Sequence, residues 1–207
     1  MSDSIEADAP LAAYYRWHAG IYDLTRWAFL FGRRDLIRVV SERLPAPRKV
    51  LEIGCGTGSN LVSLARAFPR AEIVGIDLSR DMLDRARVKT APFGCRISLR
   101  HQAYLGPIRG DDPGFDLIVC SYSLSMINPG FETVLAACRE DLSRDGSIAV
   151  VDFHESRWRW FRRWMGVNHV RMDGQILREL RSHFEPVVCR VHHGYGDLWR
   201  YLVFVGR

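Results

Sequence analysis

The chain has 207 residues, 47% apolar and 26% charged, a balance that excludes a disordered or fibrous protein. At this size one core buries about 70% of the unfolded surface, so a single domain over residues 1–207 is expected. The formal charge of +5 rests on arginine, with Lys49 and Lys89 the only lysines; it suits anionic groups or an anionic lipid surface, while the lack of a lysine- or glycine-rich arm argues against nucleic acid.

Residues 1–8 are acidic and lack the basic start and apolar stretch of a secretory signal, so a cytoplasmic protein is expected. Residues 11–44 have helical character interrupted near Gly20 and Gly32 and are rich in aromatics. They are expected to form one or two helices, with residues 1–45 as a lid on a core of residues 46–207.

From residue 48 to 151, short β-branched runs alternate with amphipathic stretches, the pattern of β-α-β units. Residues 49–53, 72–76, 96–99, 116–121 and 148–153 read as parallel, largely buried strands. Residues 60–68, 81–89 and 131–142 read as helices, with Ser79 and Pro129 as start signals. Residues 157–184 read as helical, and residues 186–192 and 198–205, joined by Gly194-Tyr195-Gly196-Asp197, as an antiparallel hairpin. The longest apolar runs, such as 27–31 and 148–151, fall far short of a bilayer span, which needs about 20 residues. Cys55, Cys95, Cys120, Cys138 and Cys189 are an odd set without a CxxC pair, so neither a disulfide framework nor a metal site is expected.

The turn Glu52-Ile53-Gly54-Cys55-Gly56-Thr57-Gly58 lies between a strand and a helix, where backbone N–H groups and a helix N-terminus gather at the carboxyl edge of a parallel sheet. Gly54, Gly56 and Gly58 permit backbone angles other residues avoid and close approach of a ligand. The spacing is not that of a dinucleotide fingerprint, whose third glycine would fall at Ser59. Asp77 ends the second strand 19 residues after Gly58; an acid there accepts from both ribose hydroxyls of a nucleoside, the alternative being a helix cap. Leu78 and Met82 can then pack on a base, and Gln102 with Ala103, after the third strand, can meet its amino group, although Gln102 is equally readable as a surface amide.

The E-x-G-x-G-x-G form of residues 52–58 resembles motif I of the class I S-adenosylmethionine-dependent methyltransferases. A narrower resemblance lies in Ser121-Tyr122-Ser123-Leu124-Ser125-Met126-Ile127 after the fourth strand and Val151-Asp152-Phe153 on the fifth. Together with Trp17-His18-Ala19-Gly20-Ile21-Tyr22-Asp23 near the start and Tyr201-Leu202-Val203-Phe204-Val205-Gly206-Arg207 at the end, these look like the betaine-lipid synthase methyltransferases. That resemblance implies an α/β, Rossmann-like fold, with a mostly parallel seven-stranded sheet, an antiparallel C-terminal hairpin and the helical lid. It also implies S-adenosylmethionine as cofactor, held by Glu52, Gly54, Cys55, Gly56, Gly58, Asp77, Leu78, Met82, Gln102, Ala103, Ser121, Tyr122 and Arg26.

The implied activity is threefold N-methylation of diacylglyceryl-homoserine to diacylglyceryl-trimethylhomoserine. A separate enzyme that forms the homoserine lipid would be the partner supplying substrate. Transfer of a methyl from sulfonium to amine moves positive charge without creating much, so alignment is the main requirement. Asp152 and His154 can orient the amine or take its proton, and the rings of Tyr22 and Tyr122 can face a cation. Each also has a plain structural role open to it, as a cap, a solvated side chain or a core ring. Residues 157–165, Arg-Trp-Arg-Trp-Phe-Arg-Arg-Trp-Met, suit either a lipid headgroup boundary or a helix packing its tryptophans inward. Phosphatidylethanolamine or a quinone precursor is the alternative acceptor, and a cofactor-binding module that holds RNA is the reading from another class.

Overall fold

The computed structural model describes residues 30–167 and 169–207. All seven strands among these residues join one sheet, in the order β3-β2-β1-β4-β5-β7-β6. They are β1 (Lys49–Ile53), β2 (Glu72–Asp77), β3 (Ile97–His101), β4 (Phe115–Ser121), β5 (Leu142–Glu155), β6 (Pro186–Gly194) and β7 (Trp199–Gly206). The first five are parallel, and β7 runs antiparallel between β5 and β6.

Side chains alternate across a strand, and here both faces are covered. Val50, Val119, Val151 and Val203 lie in one buried cluster, while Leu51, Ile118, Val150 and Leu202 lie in the other. This double burial explains why the central strands read as continuous apolar runs. The first face is covered by α1 (Arg33–Arg43), α2 (Ser59–Ala67) and α3 (Arg80–Thr90), the second by α4 (Phe131–Asp141). Ser79 caps α3, its hydroxyl accepting from the Met82 N–H at 3.3 Å.

Some expected boundaries change, among them the start of β5, which is Leu142 instead of residue 148. Residues 157–184 form two helices, α5 (Arg159–Val167) and α6 (Gln175–His183). Phe161 and Met165 of α5 belong to the first face's cluster, whereas Ile176 and Leu180 of α6 belong to the second. One straight helix cannot serve both faces, so the chain crosses the sheet's edge between them and re-enters helix at Gly174, in the left-handed region at φ 75°. The third strand is Ile97–His101 instead of 96–99, because Arg96 ends a preceding 3-10 turn (Ala91–Arg96), from which its guanidinium donates to the carbonyls of Ala65, Phe68 and Ala71 at 3.3–3.4 Å. Of the expected lid, the described part is α1, whose Leu36, Val39 and Val40 pack into the first face of the sheet; their i, i+3, i+4 spacing makes a stripe suited to a flat partner. Residues 1–29, with Tyr22 and Arg26, lie outside the described residues.

Candidate functional site

The glycine turn follows β1 at the carboxyl edge of the parallel strands. Gly54 and Cys55 both donate to the Ile76 carbonyl, at 2.9 and 3.0 Å, so the turn is pinned to the end of β2. Gly54 has φ 72°, and a Cβ there would lie 2.7 Å from Cβ of Ser123. Gly58 has φ 76°, and its Cβ would lie 3.1 Å from that of Ala86. Besides any ligand, Gly54 admits Ser123 and Gly58 admits α3. Gly56 sends its N–H to Asp77 Oδ2 at 2.7 Å.

Asp77 is half-buried and also accepts from the Ser79 N–H through Oδ1 at 2.9 Å. Each carboxylate oxygen thus holds one backbone donor and retains capacity for a further one. Beside it Leu78 is 59% exposed, and Met82 is buried. The Leu78 carbonyl lies 2.9 Å from His101 Nε2, while His101 Nδ1 lies 3.4 Å from Arg80 Nε. An Nε2–H tautomer satisfies both contacts and fixes the loop that presents Leu78. Gln102 and Ala103 follow directly, both half-buried.

Glu52 is 1% exposed, and its Oε1 accepts from Asn60 Nδ2 at 2.9 Å. Cys55 is buried beneath the turn. Asn60, Ser123 and His101 are supporting residues that sequence reasoning did not assign; a polar side chain two positions into the helix after the turn was the one available signal, for Asn60.

The opposite wall is the segment after β4. Ser121, Ser123 and Ser125 are buried there, and the Ser121 hydroxyl has no hydrogen-bond partner among the described residues. Tyr122 has φ 55°, a strained value for a bulky residue. Its N–H donates to the Val151 carbonyl at 2.8 Å and its hydroxyl to the Phe31 carbonyl at 2.7 Å. Burial pushes this phenol well above the usual tyrosine range, so it stays a donor. The ring face proposed for a cationic substrate has the Arg33 guanidinium over it, 5.8 Å from the centroid, and Phe153 meets it edge-on at 4.8 Å.

Asp152 is fully buried on β5, its oxygens accepting from the N–H groups of Ser125 (3.2 Å) and Phe153 (2.8 Å). Burial pushes its pKa up to about 6, against the opposing pull of its hydrogen bonds from Ser125. His154 lies two residues on, half-buried, with Gly174 against its ring; burial lowers its pKa, and Nδ1 has no partner among the described residues. The Arg171 N–H donates to the Ser125 carbonyl at 3.0 Å, so the crossover from α5 to α6 runs along the same wall. Glycine turn, Asp77, Leu78 and residues 121–125 are thereby brought to one edge. Asp152 stands one layer behind that wall. No group of side chains able to hold a metal occurs among the described residues.

Residues 50–146 match the family model described as a methyltransferase domain. The trans-aconitate 2-methyltransferase of Deinococcus radiodurans is 32% identical over 134 residues, covering 65% of this chain and 48% of that protein. The ubiquinone/menaquinone biosynthesis C-methyltransferase of Syntrophotalea carbinolica is 42% identical over 81 residues, covering 38% of this chain and 34% of that protein. The chain therefore spans less than half the length of these curated relatives. Among solved structures, Burkholderia thailandensis 1,6-didemethyltoxoflavin-N1-methyltransferase, with 1,6-didemethyltoxoflavin and S-adenosylhomocysteine bound, superimposes with TM-score 0.73 at 18% identity, covering 100% of this chain and 91% of that one. The fold is the seven-stranded, mostly parallel α/β fold with the antiparallel C-terminal hairpin expected above.

Proposed function

We propose that residues 50–146, which match the methyltransferase-domain family, serve here in an S-adenosylmethionine-dependent N-methyltransferase whose acceptor is the amine of diacylglyceryl-homoserine. The cofactor would be held by Asp77 at its ribose, by Leu78 and Met82 at its base, by Gln102 and Ala103 at the base's amino group, and by the turn of Gly54, Cys55 and Gly56. Bound there, it supplies an electrophilic methyl group on a sulfonium. The residues fit: the Asp77 oxygens keep acceptor capacity after binding Gly56 and Ser79, and Leu78 offers an exposed apolar side chain beside them.

The observation that carries the acceptor reading is the packing of Ser123 against Gly54. The segment with the narrower family resemblance, residues 121–127, forms the wall beside the turn that would hold the cofactor. Asp152, behind Ser125, sets negative charge under that wall and favours an ammonium-bearing headgroup. His154, kept neutral at neutral pH by its lowered pKa, accepts the proton that the amine must lose before each transfer. Tyr22 and Arg26 are assigned to the amine and to a carboxylate on the resemblance alone. A separate enzyme forming the homoserine lipid would provide substrate.

Mass spectrometry of products formed from S-adenosylmethionine and detergent-dispersed diacylglyceryl-homoserine tests this reading, with expected products carrying one, two and three added methyl groups. The quinone-enzyme relative motivates a parallel incubation with a quinone precursor, and phosphatidylethanolamine completes the set. Methylation of either of those lipids in place of the homoserine lipid would overturn the acceptor assignment and leave the cofactor assignment standing.

A further inference from the structure

The segment 157–167 carries more exposed aromatic surface than the fold requires. Phe161 and Met165 already seat α5 on the core. Yet Trp158, Trp160 and Trp164 are 48%, 60% and 50% exposed. At 3.6 residues per turn Trp160 and Trp164 share one stripe of the helix, and Arg159 and Arg163 share a neighbouring one. Arg159, Arg162 and Arg163 are exposed, and no carboxylate pairs with them among the described residues. Residues 157–167 contain no acidic residue.

These tryptophans continue into a second exposed aromatic. Trp160 and Trp164 contact Phe161 at 5.7 Å, Phe161 stacks on buried Trp199 at 5.9 Å, and Tyr195, 57% exposed at the β6–β7 turn, meets Trp199 at 4.9 Å. The platform stands at the edge of the sheet that also holds the glycine turn, since α5 leaves the end of β5 and Trp199 begins the antiparallel β7. It is tied to the wall of the site twice. Phe31 stacks on Trp199 at 5.8 Å while its carbonyl holds the Tyr122 hydroxyl, and the chain leaving α5 bonds to Ser125 through Arg171.

We infer that α5 and the β6–β7 turn form a docking surface for an anionic bilayer, on which Trp160, Trp164 and Tyr195 enter the headgroup boundary and Arg159, Arg162 and Arg163 meet lipid phosphates. Charge complementarity selects this occupant. Unpaired guanidinium groups interleaved with indoles suit a plane of phosphates over an apolar layer, because arginine extends its charge to the phosphates while its stem and the indoles sit below. A second copy of this chain would instead bring the same unpaired positive charges face to face. Docking there brings the sheet edge that carries the glycine turn up to the bilayer, so a headgroup reaches the site without leaving it. The inference rests on the lipid-acceptor reading for that purpose alone; the surface itself is tested without any acceptor.

The full chain is sedimented with vesicles of phosphatidylcholine, or of phosphatidylcholine and phosphatidylglycerol in equal parts, neither of which carries a primary amine. Binding to the anionic vesicles is expected to exceed binding to the neutral ones by about tenfold or more and to weaken in high salt. Trp160→Ser with Trp164→Ser, and separately Arg159→Glu with Arg163→Glu, are each expected to reduce the partition coefficient by about tenfold or more. Both pairs are exposed, and unchanged S-adenosylhomocysteine binding by calorimetry certifies the fold. Either variant pair binding anionic vesicles like the parent chain, equal binding to both vesicle types, or tryptophan-dependent self-association without vesicle binding would overturn the proposal. So would a preference for a structureless RNA oligonucleotide over the anionic vesicles. Failed lipid methylation with vesicle binding intact would count against the acceptor alone.

Discussion

Asp152 is an ionisable side chain placed where ionisation is unfavourable. Its folded pKa of about 6 stands above the ordinary 3.8, so the native state binds a proton more tightly than the unfolded chain. The sign follows from linkage: stability from this group is greatest below the unfolded value and falls as pH rises from about 4 to about 6, by about 3 kcal/mol in all. Asp152→Asn keeps the shape and removes the charge. Urea unfolding at pH 5 and pH 7.5 is expected to show the variant gaining on the parent at the higher pH, while a gap constant with pH would contradict the assignment. The retention of a charge at that cost accords with a role for it under the residue 121–125 wall. Gly54→Ala combines a positive φ with a 2.7 Å approach to Ser123, and a loss of about 2 kcal/mol or more is expected from chemical denaturation. Asp77→Ala leaves the turn without the acceptor for Gly56 and removes the carboxylate proposed to hold the ribose; calorimetry is expected to show S-adenosylhomocysteine affinity falling by about tenfold or more.

Among the elements, the parallel strands were legible because burial on both faces leaves a signature of unbroken apolar runs, as in Leu117-Ile118-Val119-Cys120. The hairpin was legible through Gly194 at the end of β6 and Gly196 within the turn that follows. The break between α5 and α6 was not, because Met165, Ile176 and Leu180 keep nearly helical spacing while belonging to opposite faces of a sheet that periodicity does not see. The same limit applied at the site. Glu52, the glycines and Asp77 sit together in sequence, whereas Ser123 against Gly54 and Arg33 over Tyr122 are meetings of distant segments. The two glycines near the break separate the cases experimentally. Gly174→Ala meets the His154 ring at 3.3 Å with φ 75° and is expected to cost about 1–2 kcal/mol. Gly166→Ala, inside α5 with open space around its Cβ, is expected to gain about 0.5–1 kcal/mol. Urea midpoints at equal slope read both.

For the whole molecule, the turn proposed to hold the cofactor is bonded to the end of β2 through Gly54, Cys55 and Gly56, so ligand binding there is expected to stabilise the fold. S-adenosylhomocysteine at about one hundred times its dissociation constant adds about 2.7 kcal/mol, which raises the melting temperature by about 5–10 °C for a chain of this size. A thermal scan with no shift under confirmed saturation would contradict that linkage. No helix among the described residues is long and apolar enough to cross a membrane.

The bond from the Tyr122 hydroxyl to the Phe31 carbonyl sets a boundary for anyone trimming the gene. A deletion that stopped short of residue 31 would keep the acceptor and the ring stacked on Trp199. One that began at α1, the natural-looking cut at Arg33, would strand a buried hydroxyl and open the aromatic stack from below. Its stability would drop by about 1–3 kcal/mol from the orphaned phenol alone, and the damage would surface at the carboxyl edge of the sheet rather than at the new terminus.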